Sequence, residues 1–380
     1  VFALGQKQDK PKEETGSAAT WSHDPMLWPY AATKLAVDAC VWWIEHGLGL
    51  ASHSDEAALP WTTPNTVALE LATLRLRDFS RRQAGHPVLI CAPYALHRAL
   101  VADFAPGHSI VASLQSSGLD RLYVTDWRSA APDMRFLSID NYLAELNVAI
   151  DQIGPPIDLV GLCQGGWLAL IYAARFPEKV RRLVLVGAPV DVSVESELSR
   201  MVAGASQRAF EGLVDSGGGL VRGDHMLRFW SLPPDAEVVL QRSLSSEPAG
   251  ELLDRFERWY DQTLDLPGTY YLQIVNWIFR ENRLAKASFV ALGQEVHLAD
   301  LKTPVFLLAG ADDEVVPAAQ ALATGPLLGT PAAFLESATV PSNHLGLFMG
   351  SKTLAVSWPR IGWWLQSDEP ELRPVAVASA

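Results

Sequence analysis

Cysteine is scarce in this chain: 3 residues among 380, too few to staple a fold with disulfides. Positive charge is scarce as well. Lys and Arg total 30 against 43 Asp and Glu, a formal charge of −13. Phosphate contacts need a local excess of positive charge, and no basic run supplies one, so a general nucleic-acid binder is excluded. No apolar stretch approaches the roughly 18 residues of a membrane-spanning helix. The first residues, VFALGQKQDKPKEETGS, turn polar early and lack the apolar run of a signal peptide. A soluble, cytoplasmic protein is therefore expected. No G-x-G-x-x-G follows a strand, no H-E-x-x-H occurs, and Cys and His never cluster at zinc-ligand spacing, so neither a nucleotide cofactor nor a metal is expected. No internal repeat is visible.

Apolar residues are plentiful, at 49%, and 13 are Trp. That is enough for a large core, with aromatic side chains to spare for an apolar groove. Residues 1–82 read as a flexible lead followed by a helical extension. Within it, 31–50 suggest an apolar helix containing Cys40, and Thr66–Arg82 also has helical character. The pattern then changes to short apolar runs: His86–Cys91, Leu122–Thr125, Ile157–Val160, Leu183–Val186 and Pro304–Ala309. Helical stretches alternate with them, at Ile139–Ile150, with Asp140 a candidate N-cap, and from Trp167 to about Phe176. Runs of this length between helices argue for a mostly parallel sheet covered on both faces. The expected core is 83–190 together with 291–370. Residues 191–290 break the rhythm with helical, charged and Gly-rich sequence, and are expected to form an inserted cap.

The strongest chemical signal is Gly161-Leu162-Cys163-Gln164-Gly165, preceded by a strand and followed by a helix. This is the G-x-S-x-G nucleophile elbow with Cys in place of Ser. The turn is tight, so small residues are needed two positions either side. The nucleophile projects near a helix N-terminus, whose partial positive charge favours thiolate. The order nucleophile, acid, histidine then predicts an acid after a late strand and a His beyond it. Ala311-Asp312-Asp313 follows the strand ending at Gly310, and His344 is the only one of the 9 His beyond that point. Backbone donors for a tetrahedral oxyanion are expected at Gln164 and in the loop after the first core strand, at Tyr94 or Ala95. His97 in that loop, with Trp259 and Trp277 of the insertion, is expected to line a substrate site for an apolar acyl chain.

With those residues in view, the chain resembles the polyhydroxyalkanoate synthase and depolymerase-like branch of the α/β-hydrolase superfamily. The resemblance runs through 85–365. VLICAPYALHRALVADFAP is similar to the family's first-strand block, and LYVTDWR to the next strand. GLCQGG resembles the synthase lipase-like box. Leu266-Pro267-Gly268 with Glu281-Asn282-Arg283-Leu284 looks like the cap segment. Asp313-Glu314-Val315-Val316-Pro317 and Asn343-His344-Leu345-Gly346 resemble the acid and histidine motifs. The resemblance implies Asp313 rather than Asp312 as the acid, and an α/β-hydrolase fold with an inserted helical cap. The chain departs from the pattern at Glu314, where many synthases have His, and at Trp259-Tyr260-Asp261. Two activities are implied. The first is a cysteine-nucleophile hydrolase of 3-hydroxyacyl esters or thioesters, depolymerase-like. The alternative is a synthase that uses 3-hydroxyacyl-CoA. A polyester or acyl-CoA substrate, a granule surface and a homodimer are the partners implied.

Overall fold

The computed structural model describes residues 59–229, 242–244 and 250–367. The helix expected over 31–50, with Cys40, lies outside them. Eight strands form the main sheet: β1 (Thr66–Glu70), β2 (Leu74–Asp78), β3 (Val88–Cys91), β4 (Leu122–Trp127), β5 (Ile157–Leu162), β6 (Val180–Val186), β7 (Val305–Gly310) and β8 (Leu335–Val340). Their spatial order is β1-β2-β4-β3-β5-β6-β7-β8. The pairs from β4 to β8 are parallel, and β1–β2 and β2–β4 are antiparallel.

Thr66–Arg82 is thus not helical. Its LRLRD segment alternates with a period of two: Leu74 and Leu76 are fully buried. Alternating with them, Arg75 pairs with Glu70 at 3.0 Å and Arg77 with Asp126 at 2.8 Å. That alternation suits a half-buried antiparallel strand. The sheet consequently begins at Thr66, ahead of residue 83. A bulge between Val67 and Leu69 interrupts the pairing of β1.

The central strands read as continuous apolar runs because each feeds two cores. Leu89, Leu159, Leu183 and Leu307 face one cluster, which takes in Tyr142, Leu146, Trp167 and Ile171. Val88, Val160, Val184 and Phe306 face the other, with Ile110, Leu114, Trp358 and Ile361. The helices supplying those side chains are α1 (Ile110–Ser116), α2 (Ile139–Ile153), α3 (Gln164–Arg175) and, near the C-terminus, Ser351–Gln366. Ser138, not Asp140, is the N-cap of α2, and its N–H donates to Asn141 Oδ1 at 2.8 Å. Asp140 sits in the first turn and accepts the Leu292 N–H at 2.9 Å. At the start of β5, buried Asp158 accepts from Arg181 at 2.5 Å.

Between β6 and β7 the chain carries helices Glu197–Gly204, Gln207–Ser216, Gly223–Phe229, α4 (Gly250–Asp261) and α5 (Gly268–Gln273). A π-helical turn, Ile274–Arg280, and a small hairpin, Phe289–Ala291 with Gln294–Val296, follow. This insertion is tied to the loop after β3. Leu264 N–H donates to Leu96 at 2.8 Å, the Tyr94 hydroxyl donates to the Asp265 carbonyl at 3.1 Å, and His97 bridges Thr263. Among the described residues no helix is long and apolar enough to cross a membrane.

Candidate active site

Cys163 stands between β5 and α3 with φ 49° and ψ −120°, a conformation that L residues avoid. Backbone bonds on both sides hold it there. Its N–H donates to Val186 at 2.8 Å, and its carbonyl accepts from Gly166 at 2.8 Å. The flanking glycines are a spatial necessity. A Cβ on Gly161 would lie 2.5 Å from the Gly166 Cα, and one on Gly165 would meet the Cys91 carbonyl and stand 2.7 Å from that of Ala92. The first N–H groups of α3, at Gln164 and Gly165, have no acceptor within the helix.

Asp313 and His344 come from adjacent strand ends, and the two loops are stapled together. Ala311 N–H donates to Val340 at 2.8 Å, and Asp312 N–H to Ser342 at 3.1 Å. Asp313 Oδ1 accepts from Val315 and Val316 at 2.9 and 2.8 Å, which leaves Oδ2 for His344 Nδ1 at 2.8 Å. Both side chains are nearly sealed from solvent. The Cys163 side chain lies beside the imidazole, close enough to bear on its charge. Burial works against a charged imidazole, but the Asp313 and Cys163 charges and their hydrogen bonds outweigh it and hold His344 well above its ordinary value. The structure therefore brings Cys163 beside the hydrogen-bonded pair of His344 and Asp313. Cys91, by contrast, is fully buried, and burial pushes its thiol up to about 12.

The comparisons with known proteins bear on what these residues do. The α/β hydrolase fold family matches residues 105–344. A poly(3-hydroxyalkanoate) polymerase subunit PhaC from Synechocystis sp. is 31% identical over 297 residues, covering 73% of this chain and 78% of that protein. The chain belongs to the poly(3-hydroxyalkanoate) polymerase branch of the α/β-hydrolase superfamily. A polymerase subunit of the same name from Haloferax mediterranei is 26% identical over 315 residues, which span 80% of this chain and 63% of the relative. A monoacylglycerol lipase from Paleococcus ferrophilus superposes with a TM-score of 0.53 at 16% identity, over 77% of this chain and 98% of its own. A Bacillus megaterium epoxide hydrolase gives 0.52 at 13%, over 78% and 98%. These two likenesses speak to fold alone. The polymerase relatives favour acyl transfer over the depolymerase-like hydrolysis expected first from the sequence.

Other expectations for this polymerase-branch chain need correcting. The Tyr94 N–H is not a free oxyanion donor, because Gln164 Oε1 accepts it at 2.6 Å. Ala95 is then the next backbone N–H along the loop. Trp259 is only 2% exposed and packs against His97, Phe104 and Phe256 at 4.6, 6.0 and 5.6 Å, with its indole N–H on the Arg98 carbonyl. It belongs to the core rather than to an open groove. His97 lies between Trp259 and Tyr260, and burial, only partly offset by a backbone hydrogen bond to Tyr260, lowers its pKa to about 4. It is a neutral packing group. Trp277 stands edge-on to Phe289 at 5.9 Å with the Arg283 guanidinium over its ring, and none of its described contacts reaches Cys163.

Sequence reasoning missed Gly187, which follows β6 at φ +54°. A Cβ there would stand 3.3 Å from His344 Cε1 and 3.5 Å from Asp313 Oδ2. The signal was present in the Val186-Gly187-Ala188 sequence directly after a core strand. Asn282, quoted above only as part of the cap segment, is buried at φ 53° and donates to Asp191 Oδ1 at 2.8 Å, so it fixes the end of the insertion to its beginning.

Proposed function

We propose that the protein is an acyltransferase that builds poly(3-hydroxyalkanoate) from 3-hydroxyacyl-CoA through an acyl-enzyme on Cys163. His344, held by Asp313, takes the Cys163 proton, and the thiolate attacks the thioester carbonyl. The amides of Gln164 and Ala95 receive the oxyanion. The carbon–sulfur bond to CoA breaks, and His344 returns its proton to the departing thiolate, giving free CoA and acyl-Cys163. The hydroxyl of another 3-hydroxyacyl unit then loses its proton to His344 and attacks the acyl carbonyl. An ester forms, and Cys163 leaves and is reprotonated. The raised basicity of His344 suits both proton transfers, because it stabilises a thiolate–imidazolium pair before attack.

The observation that supports this reading most is a polymerase relative aligned over 73% of the chain, on a site whose nucleophile position holds Cys rather than Ser. The test is incubation with 3-hydroxybutyryl-CoA, with free CoA, acylated Cys163 and polymer measured together. CoA release with acyl-Cys163 and polymer is expected, and Cys163→Ala abolishes all three. Release of CoA with free hydroxy acid and no polymer returns the assignment to hydrolysis. Turnover retained by Cys163→Ala overturns the nucleophile.

A further inference from the structure

The carboxamide of Gln164 spans two parts of the site. Its Oε1 accepts the Tyr94 N–H at 2.6 Å across 70 positions of sequence, tying the loop after β3 to the nucleophile turn. Tyr94 is itself gripped by the insertion. Its ring packs on Tyr142 at 4.8 Å and on Tyr270 of α5 at 5.4 Å, while Tyr142 and Tyr270 stand 4.5 Å apart. The Tyr94 hydroxyl reaches the Asp265 carbonyl just ahead of α5. Tyr270 is fully buried, and its hydroxyl makes no well-formed hydrogen bond, yet it lies against the Gln164 side chain. One carboxamide therefore touches the elbow, the oxyanion loop and the insertion.

We infer that the Gln164 side chain and Tyr270 are positioning residues for the oxyanion hole, holding the Tyr94–Ala95 loop so that the Ala95 N–H pairs with that of Gln164. A buried amide pinned by an uncharged acceptor has little freedom, and oxyanion donors act through such preorganisation. Because Tyr270 arrives on the insertion, the second donor is in place only while the insertion is seated. This inference rests on the acyl-transfer role of Cys163.

The test compares two reactions of the same thiol. Acylation by p-nitrophenyl butyrate, read as the nitrophenolate burst, passes through an oxyanion. Alkylation by iodoacetamide does not. Gln164→Met, similar in length but without the acceptor, is expected to slow acylation roughly 10- to 100-fold with KM little changed. Tyr270→Leu, which removes the ring packed on Tyr94, is expected to slow it by about 3- to 10-fold. Alkylation of Cys163 stays within about twofold in both. Equal loss in the two reactions marks general damage to the elbow and overturns the inference, as does an unchanged burst in both variants. Absence of any burst from the wild-type protein, with polymerisation also absent, overturns the nucleophile assignment and this inference with it.

Discussion

Replacing Gly165 with alanine tests the elbow through geometry alone. The added Cβ would stand 2.7 Å from the Ala92 carbonyl oxygen, whereas ordinary contact begins at 3.4 Å. The start of α3 must therefore retreat from the end of β3 by about 0.7 Å, and further still to clear the Cys91 carbonyl. Neither neighbour can yield cheaply, since both obstacles are backbone and Cys91 is paired with Gly161 in the sheet. Overpacking of this kind costs about 1–3 kcal/mol. The same retreat carries the Gln164 N–H away from the reacting carbonyl, and a misplacement near 1 Å costs on the order of 10² in rate. Urea unfolding reports the first effect and the nitrophenolate burst the second. Gly212→Ala is the control. It lies within a helix with nothing inside 4 Å of the new methyl, so alanine there should add up to about 1 kcal/mol. A Gly165→Ala protein with wild-type stability and burst would refute the argument that the elbow requires glycine for space.

Three further outcomes are expected. Asp313→Asn removes the largest upward pull on His344, so its pKa falls, and turnover should drop by ~10³–10⁴. The raised pKa of His344 contributes stability that is complete below its unfolded value and lost as pH rises through the folded one. Urea melts should accordingly separate wild type from Asp313→Asn more at pH 6 than at pH 9. Asp158, pushed up to about 6 by burial against the opposing pull of Arg181 and Arg182, binds a proton more tightly in the folded state. Its contribution to stability should fall as pH rises from 3.8 toward 6, and Asp158→Asn should flatten that part of the profile. Trp259→Ala should cost about 3–5 kcal/mol in unfolding free energy, as a core residue does. A selective rise in KM without that loss would restore Trp259 to the substrate site.

The apolar strands were legible because a strand buried on both faces leaves an uninterrupted apolar run, as in Val88–Cys91 and Val305–Gly310. The β1–β2 hairpin was misread because Thr66–Asp78 is half-buried. Its leucines fall at spacings compatible with either period over so short a span, and the alternating Arg75 and Arg77 were the deciding clue. The elbow showed itself through local spacing and His344 through chain order, whereas the choice of Asp313 over Asp312 came from the family resemblance. The Gln164–Tyr94 bond could not show itself, since a side chain meeting a backbone amide 70 positions away leaves no local pattern. The aromatic residues misled for a related reason. Composition counts Trp259 and Trp277 as available, and only packing reveals that Trp259 is consumed by the core.

The bulge in β1 has a consequence for association. An edge strand offers a ladder of unpaired N–H and C=O groups on which another strand can grow. Among the described residues β1 forms this edge of the sheet; the offset between Val67 and Leu69 breaks the ladder's regular spacing, and Glu70 and Arg75 place charge beside it. Here a single displaced residue discourages the sheet from extending into a neighbour.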